Sequence, residues 1–170
     1  MRVFGALSAC LAVGILGGCI GYRLGPTNGL EAGAKTVQIN PFANQTFEPR
    51  LGDALTTALR QELQRDGTFR LSTHGEADVI LSGVVTKYTR QELSFVPQDV
   101  LTVRDFRVTA TVQVTARDVN TGKVLLDCPV MGSTLVRVGS DLAGAERQAM
   151  PLLADDLATK VTALLVEGSW

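Results

Sequence analysis

The apolar positions of this chain change period several times along its length, and each change marks an element. Thr36-Val37-Gln38-Ile39-Asn40 alternates and predicts a short strand that stops at Pro41. After the loop Phe42-Ala43-Asn44-Gln45-Thr46, the residues Leu51, Leu55, Ala58, Leu59 and Leu63 recur at spacings of three and four. That is the single stripe of an amphipathic helix, with Pro49 suited to its first turn and Gly67 to its stop. Strands are predicted over Thr68 to Ser72 and Ala77 to Tyr88, and the strand–helix–strand order makes a crossover between parallel strands.

Phe106 to Arg117 carries the cleanest alternation. Phe106, Val108, Ala110, Val112, Val114 and Ala116 point one way, and Arg107, Thr109, Thr111, Gln113, Thr115 and Arg117 the other. Asp118-Val119-Asn120-Thr121-Gly122 reads as a turn, so a strand from Lys123 to Val136 returns antiparallel. Pro129 lacks an amide hydrogen and predicts an edge position or a bulge. A last helix spans Asp141 to Val166, with Asp141 as N-cap and Leu142, Ala145, Ala149, Leu153, Leu157, Val161, Leu164 and Leu165 as its stripe. Pro151 predicts a kink there, or two abutting helices. The fold class is α+β: a two-layer sandwich in which two helices pack on one face of a mixed sheet of four to five strands. With no third layer, the Thr/Arg face of that sheet meets water or a partner.

Ahead of this domain the pattern is different. Met1-Arg2 is followed by an almost wholly apolar stretch, Val3 to Leu16, and then by Gly17-Gly18-Cys19. Signal peptides carry apolar regions of about 7–15 residues, whereas a membrane-spanning helix needs about 20. Residues 1–18 therefore read as a cleaved secretory leader. The small residues before a cysteine at the cut resemble the bacterial lipobox, which implies diacylglycerol on the Cys19 thiol and an acyl chain on its freed amine. Several chains on one cysteine hold a soluble domain at a membrane surface, at about 0.8 kcal/mol per buried methylene. Ile20 stands where an aspartate is the usual inner-membrane retention signal, so the resemblance places the protein at the outer membrane, facing the periplasm. Residues 19–34, rich in Gly, Pro, Thr and Asn, form a lipidated tether, and 35–170 a single domain.

Charge and cysteine content narrow the function. Of 16 basic and 17 acidic residues, only Arg2 falls in the leader, so the mature chain carries a net charge of −2 and does not bind nucleic acid through bulk charge. With Cys10 in the leader and Cys19 acylated, Cys128 stands alone and reads as a small buried apolar residue. His74, the one histidine, lies in a polar loop and lacks the companions that a metal site or a triad requires. Asp155-Asp156 diverge by about 100° on a helix and read as a solvated face. No nucleophile elbow, P-loop or dinucleotide fingerprint follows the leader, and the reading is non-enzymatic, with no cofactor beyond the acyl groups.

One segment carries binding chemistry. Gln91 to Val103 reads as a loop bearing Leu93, Phe95, Val96, Val100 and Leu101, flanked by Lys87 and Arg90 on one side and Arg104 and Arg107 on the other. Arginine engages phosphate in a bidentate fork, so such a segment suits an amphiphile with anionic head groups and acyl tails. The alternative is a loop that tucks its apolar residues onto the core.

The leader followed by Gly21-Tyr22-Arg23-Leu24, the strand entering Asn40-Pro41-Phe42-Ala43-Asn44-Gln45-Thr46, and the helix from Glu48 to Arg65 resemble the lipopolysaccharide-assembly lipoprotein family, LptE. So do Ala77-Asp78-Val79-Ile80-Leu81-Ser82-Gly83, the Thr-rich strand and the Thr121-Gly122-Lys123-Val124 turn. The resemblance implies an outer-membrane lipoprotein seated in the large β-barrel LptD, assisting its assembly and the delivery of lipopolysaccharide. Lys87, Arg90, Arg104 and Arg107 are lipopolysaccharide-binding candidates by chemistry and location and are not carried over from a family motif. The same N-P-F-x-N-x-T and A-D-V-I-L-x-G strings also resemble TolB-N/CsgG-like lipoproteins, among them regulators of a cell-wall synthase. A regulator of that kind needs reach, and a tether of this length spans at most about 50 Å.

Overall fold

The computed structural model describes residues 33–73, 75–96, 99–138 and 141–168, and of residues 95, 96 and 99–104 the backbone alone. The leader, Cys19 and His74 lie outside the described residues. The elements in order are β1 (Lys35–Ile39), β2 (Ala43–Asn44), α1 (Leu51–Asp66), β3 (Phe69–Leu71), β4 (Val79–Val96), β5 (Asp99–Asp118), β6 (Val124–Arg137) and α2 (Leu142–Glu167). They form an α+β fold on one six-stranded sheet of order β3-β1-β4-β5-β6, with β2 also paired to β4. The extra strand is β2, two residues within the expected loop 42–46 that continue the line of β1 along β4.

The α1 stripe is buried as its spacing requires: Leu51, Leu55, Leu59 and Leu63 are inaccessible to solvent and Ala58 nearly so. Gly67 stops the helix in the left-handed region, at φ +75°, where its amide reaches the Leu63 carbonyl. The crossover leaves β1 parallel to β3 and to β4. Strands β4, β5 and β6 run antiparallel in sequence. Val108, Ala110, Val112, Val114 and Ala116 of β5 are buried under the helices with Leu153, Leu157, Val161 and Leu165 of α2.

One expectation is overturned and two are narrowed. The segment 91–103 is no loop, because β4 runs to Val96 and β5 begins at Asp99. Bulges between Glu92 and Val96 break the alternation there, which is why the pattern hid two strand ends. The C-terminal segment is one helix, not two abutting ones, with Pro151 inside it. Asp141 does hold the N-cap position in extended conformation, but its side chain makes no cap hydrogen bond; it faces Arg147 at 3.7 Å.

Pro129 lies on β6, which is an edge strand, opposite Gln113 and with no break in register. Helix α2 guards that edge. Asp156 accepts the Ser133 amide at 2.9 Å, and Lys160 donates to the Met131 carbonyl at 3.0 Å and to Asp156 at 2.8 Å. Asp156 is therefore a structural clamp and not part of a solvated face, while Asp155 is exposed. Burial opposes the Asp156 charge, but Lys160 and the Ser133 amide outweigh it and hold the carboxyl below its ordinary value.

Candidate functional site: the open sheet face

The face turned away from the helices is built in rows by strand register. Lys87, Thr111 and Met131 make one row, Thr89, Thr109 and Ser133 the next. Gln91, Arg107 and Leu135 make a third, then Ser94, Asp105 and Arg137. Lys87 and Arg107 are exposed, and neither has an ion-pair partner among the described residues. Asp105, by contrast, is committed: Ser94 Oγ donates to it at 2.5 Å and Arg137 Nε at 3.1 Å. Met131 and Leu135 are 61% and 62% exposed. A depression of about 510 Å³ runs over Arg107, Thr109, Met131, Ser133 and Leu135 to Lys160. Cationic groups without counter-charges, beside open apolar side chains, are what an anionic amphiphile requires.

The structure separates the residues that the sequence placed in one group. Lys87 and Arg107 share the open face, but Arg90 pairs with Val108, whose side chain is buried beneath the helices. Arg90 reaches into the helix layer. Its Nε lies 2.5 Å from Glu146 Oε1 in a charge contact bent away from hydrogen-bond geometry, and an Nη lies 3.4 Å from Glu48. Partial burial works against its charge, yet Glu146, Tyr88 and Glu48 raise it above the ordinary arginine value. Burial and the same two glutamates raise Tyr88. The side chain of Arg104 lies outside the described residues.

Sequence reasoning missed Met131, Leu135, Arg137 and Lys160. The first two carried a legible signal, since apolar residues on the odd, polar-facing positions of β6 break its alternation. Two further residues take structural roles. Asn44, in an N-x-T string, accepts the Thr46 amide and hydroxyl at 2.9 and 2.8 Å and so shapes the turn into α1. Cys128 is half-buried and packs against the core.

Comparison with known proteins gives one family match. The LptE model, described as lipopolysaccharide assembly, matches residues 34–165. No protein of curated function matches the chain in sequence. Among solved structures, the chain is similar to a Xanthomonas campestris protein at TM-score 0.60 and 9% identity, covering 85% of this chain and 91% of that one. A Chlamydia trachomatis protein aligns at TM-score 0.58 and 12% identity, over 78% and 95%. A Caulobacter crescentus protein classed as a lipoprotein aligns at 0.52 and 15%, over 74% and 88%. At these identities the likeness is one of fold.

Proposed function

The chain belongs to the LptE lipopolysaccharide-assembly family, and we propose that it works as a non-catalytic, lipid-anchored component of the outer membrane. Acyl chains on Cys19 hold it there, an LptD-like β-barrel is its partner, and the open sheet face receives lipopolysaccharide. The observation that carries the reading is the meeting of Lys87 and Arg107 with Met131 and Leu135 on one uncovered face. Guanidinium and ammonium groups bind the phosphates of the amphiphile, and the exposed apolar side chains take the proximal part of its acyl region. Residues 19–34 give the domain a short leash, which suits a partner embedded in the same membrane.

The test is lipopolysaccharide binding by the purified chain and by a Lys87→Glu/Arg107→Glu variant at fixed ionic strength. The variant is expected to bind at least tenfold more weakly with an unchanged melting temperature, because neither side chain contributes to the core. Equal affinities would remove the sheet-face site. Purification of the tagged chain from detergent-solubilised outer membrane tests the partner separately: a near-stoichiometric large β-barrel is expected, and a cell-wall synthase in its place favours the regulator reading.

A further inference from the structure

The helix layer carries a groove that the sheet-face site leaves unused. It runs between the start of α1 and the middle of α2 as two hollows of about 370 and 540 Å³, which share Arg50, Ala54 and Pro151. Small side chains at facing positions leave this space open: Ala54, Ala58, Pro151 and Ala154 form the floor, with Met150 at one end. From Arg50 to Gln61 the groove follows α1 for about 16 Å. Its charges are unevenly placed. Arg50 and Arg147 stand at the end near the helix N-termini. Arg50 is exposed and has no ion-pair partner among the described residues. Arg147 meets Asp141 at 3.7 Å with both side chains largely exposed, a contact of little strength. Glu48 also lines this end, but it faces Arg90 at 3.4 Å. Farther along, Asp53 and Asp155 line the wider hollow and are exposed.

We propose that this groove binds one anionic glycerophospholipid, with its phosphate held by Arg50 and Arg147 and one acyl chain laid between the helices. Two guanidinium groups without a strong counter-charge fit a phosphate, which accepts their N–H groups in bidentate pairs. The floor fits a hydrocarbon chain and not a peptide main chain, because alanine and proline side chains offer no partner to N–H and C=O groups. The length agrees: one acyl chain spans half of the roughly 30 Å hydrocarbon core of a bilayer. Asp53 and Asp155 set the direction, since they repel an anionic head group and let only an uncharged tail lie beside them. Met150, unbranched and flexible, adapts the floor to the chain. The groove lies in the helix layer and is separate from Lys87 and Arg107 on the open sheet face.

The experiment is native mass spectrometry of the full-length acylated chain released from a mild detergent. The chain is titrated with phosphatidylglycerol, with phosphatidylcholine of the same acyl chains, and with glycerol 3-phosphate. A single phosphatidylglycerol adduct is expected at roughly a tenth of the concentration that phosphatidylcholine requires, with no adduct of glycerol phosphate. Absence of the phosphatidylglycerol adduct overturns the proposal. Equal uptake of the two lipids also overturns it, because the head-group charge then goes unread, and so does glycerol phosphate binding as tightly as the lipid, because the apolar floor then does nothing. An Arg50→Gln/Arg147→Gln variant is expected to lose the preference for phosphatidylglycerol at an unchanged melting temperature, since both side chains are exposed; a surviving preference overturns the assignment. The Lys87→Glu/Arg107→Glu variant is expected to take up phosphatidylglycerol as the parent does, and a loss there moves the lipid to the sheet face and overturns the groove. Lipopolysaccharide binding is read on that second variant, so the groove and the sheet face can fail independently.

Discussion

Arg90 and Arg107 look alike in the sequence and stand one register step apart on two paired strands, yet they do different work. The cause is one residue. Before Val85 the odd positions of β4 face the helices, and the register shift between Val85 and Lys87 reverses that order. Lys87 is thereby sent to the open face and Arg90 to the helix layer, against Glu48 and Glu146. Periodicity could not foresee the reversal, because it counts residues and a bulge adds one without leaving a composition signature. Arg90→Ala is expected to cost about 1–2 kcal/mol, between an exposed and a buried ion pair, since it leaves Glu146 half-buried without its cation. Arg107→Ala is expected to leave stability within about 0.5 kcal/mol, so urea unfolding of the pair separates the two roles. A second residue contributes to the acid sensitivity of the fold. The Asp78 carboxylate accepts the Thr36 amide at 2.8 Å and hydroxyl at 2.7 Å, and these bonds hold its pKa below the ordinary value. The unfolded chain then binds the proton first, near pH 3.9. The stabilisation is complete above that value and is lost as the pH falls through the lower, folded one. Asp78→Asn is expected to be less stable than the parent at pH 7 and to lose less on acidification to pH 3, as read by melting temperature.

At the scale of elements, α2 shows where pattern reading works and where it stops. Its apolar stripe was legible, and Leu153, Leu157, Val161 and Leu165 are buried as the spacing requires. Pro151 cannot donate to the Arg147 carbonyl four residues back, so an isolated helix of this sequence would break there. It continues because residues on either side, Ala149 and Leu153, are held in the core; tertiary burial outweighs a local penalty. Pro151 is itself exposed. Pro151→Ala is expected to raise stability, by up to about 3 kcal/mol, and an unchanged or lower melting temperature would show that the break in the ladder is not a cost to this helix. The opposite outcome is expected across the helix–sheet contact. A Cβ at Gly132 would stand 2.5 Å from Leu157 Cγ, so Gly132→Ala must push α2 away from β6 and loosen the Asp156–Ser133 clamp, at about 1–3 kcal/mol. Nothing in the sequence marks Gly132 as a packing glycine, because the helix it touches is distant along the chain.

The whole molecule is polar along its sheet. Chain entry at Lys35, the 118–123 turn and β3 lie at one pole, while Phe47, the N-termini of both helices and the extended β4–β5 ribbon lie at the other. The 18 residues of β4 put about 60 Å between them; if residues 19–34 tether the domain as proposed, they reach at most about 50 Å. Two layers, two helices and the strand pairing were legible in the sequence because each rests on local periodicity. The ribbon was not, because it extends past the core that gives periodicity its meaning. This polarity predicts an orientation. A domain entering a barrel by its leash pole would have to draw its own anchor into the lumen, whereas entry by the ribbon pole leaves the leash trailing to the membrane surface. Leu93, on the ribbon, and Val119, at the leash pole, are 42% and 48% exposed and can each be replaced by a photoreactive residue without disturbing the core. In whole cells Leu93 is expected to cross-link to the large barrel severalfold more efficiently than Val119. The reverse order would mean that the domain enters leash first, and equal weak cross-linking from both would place it outside a lumen altogether.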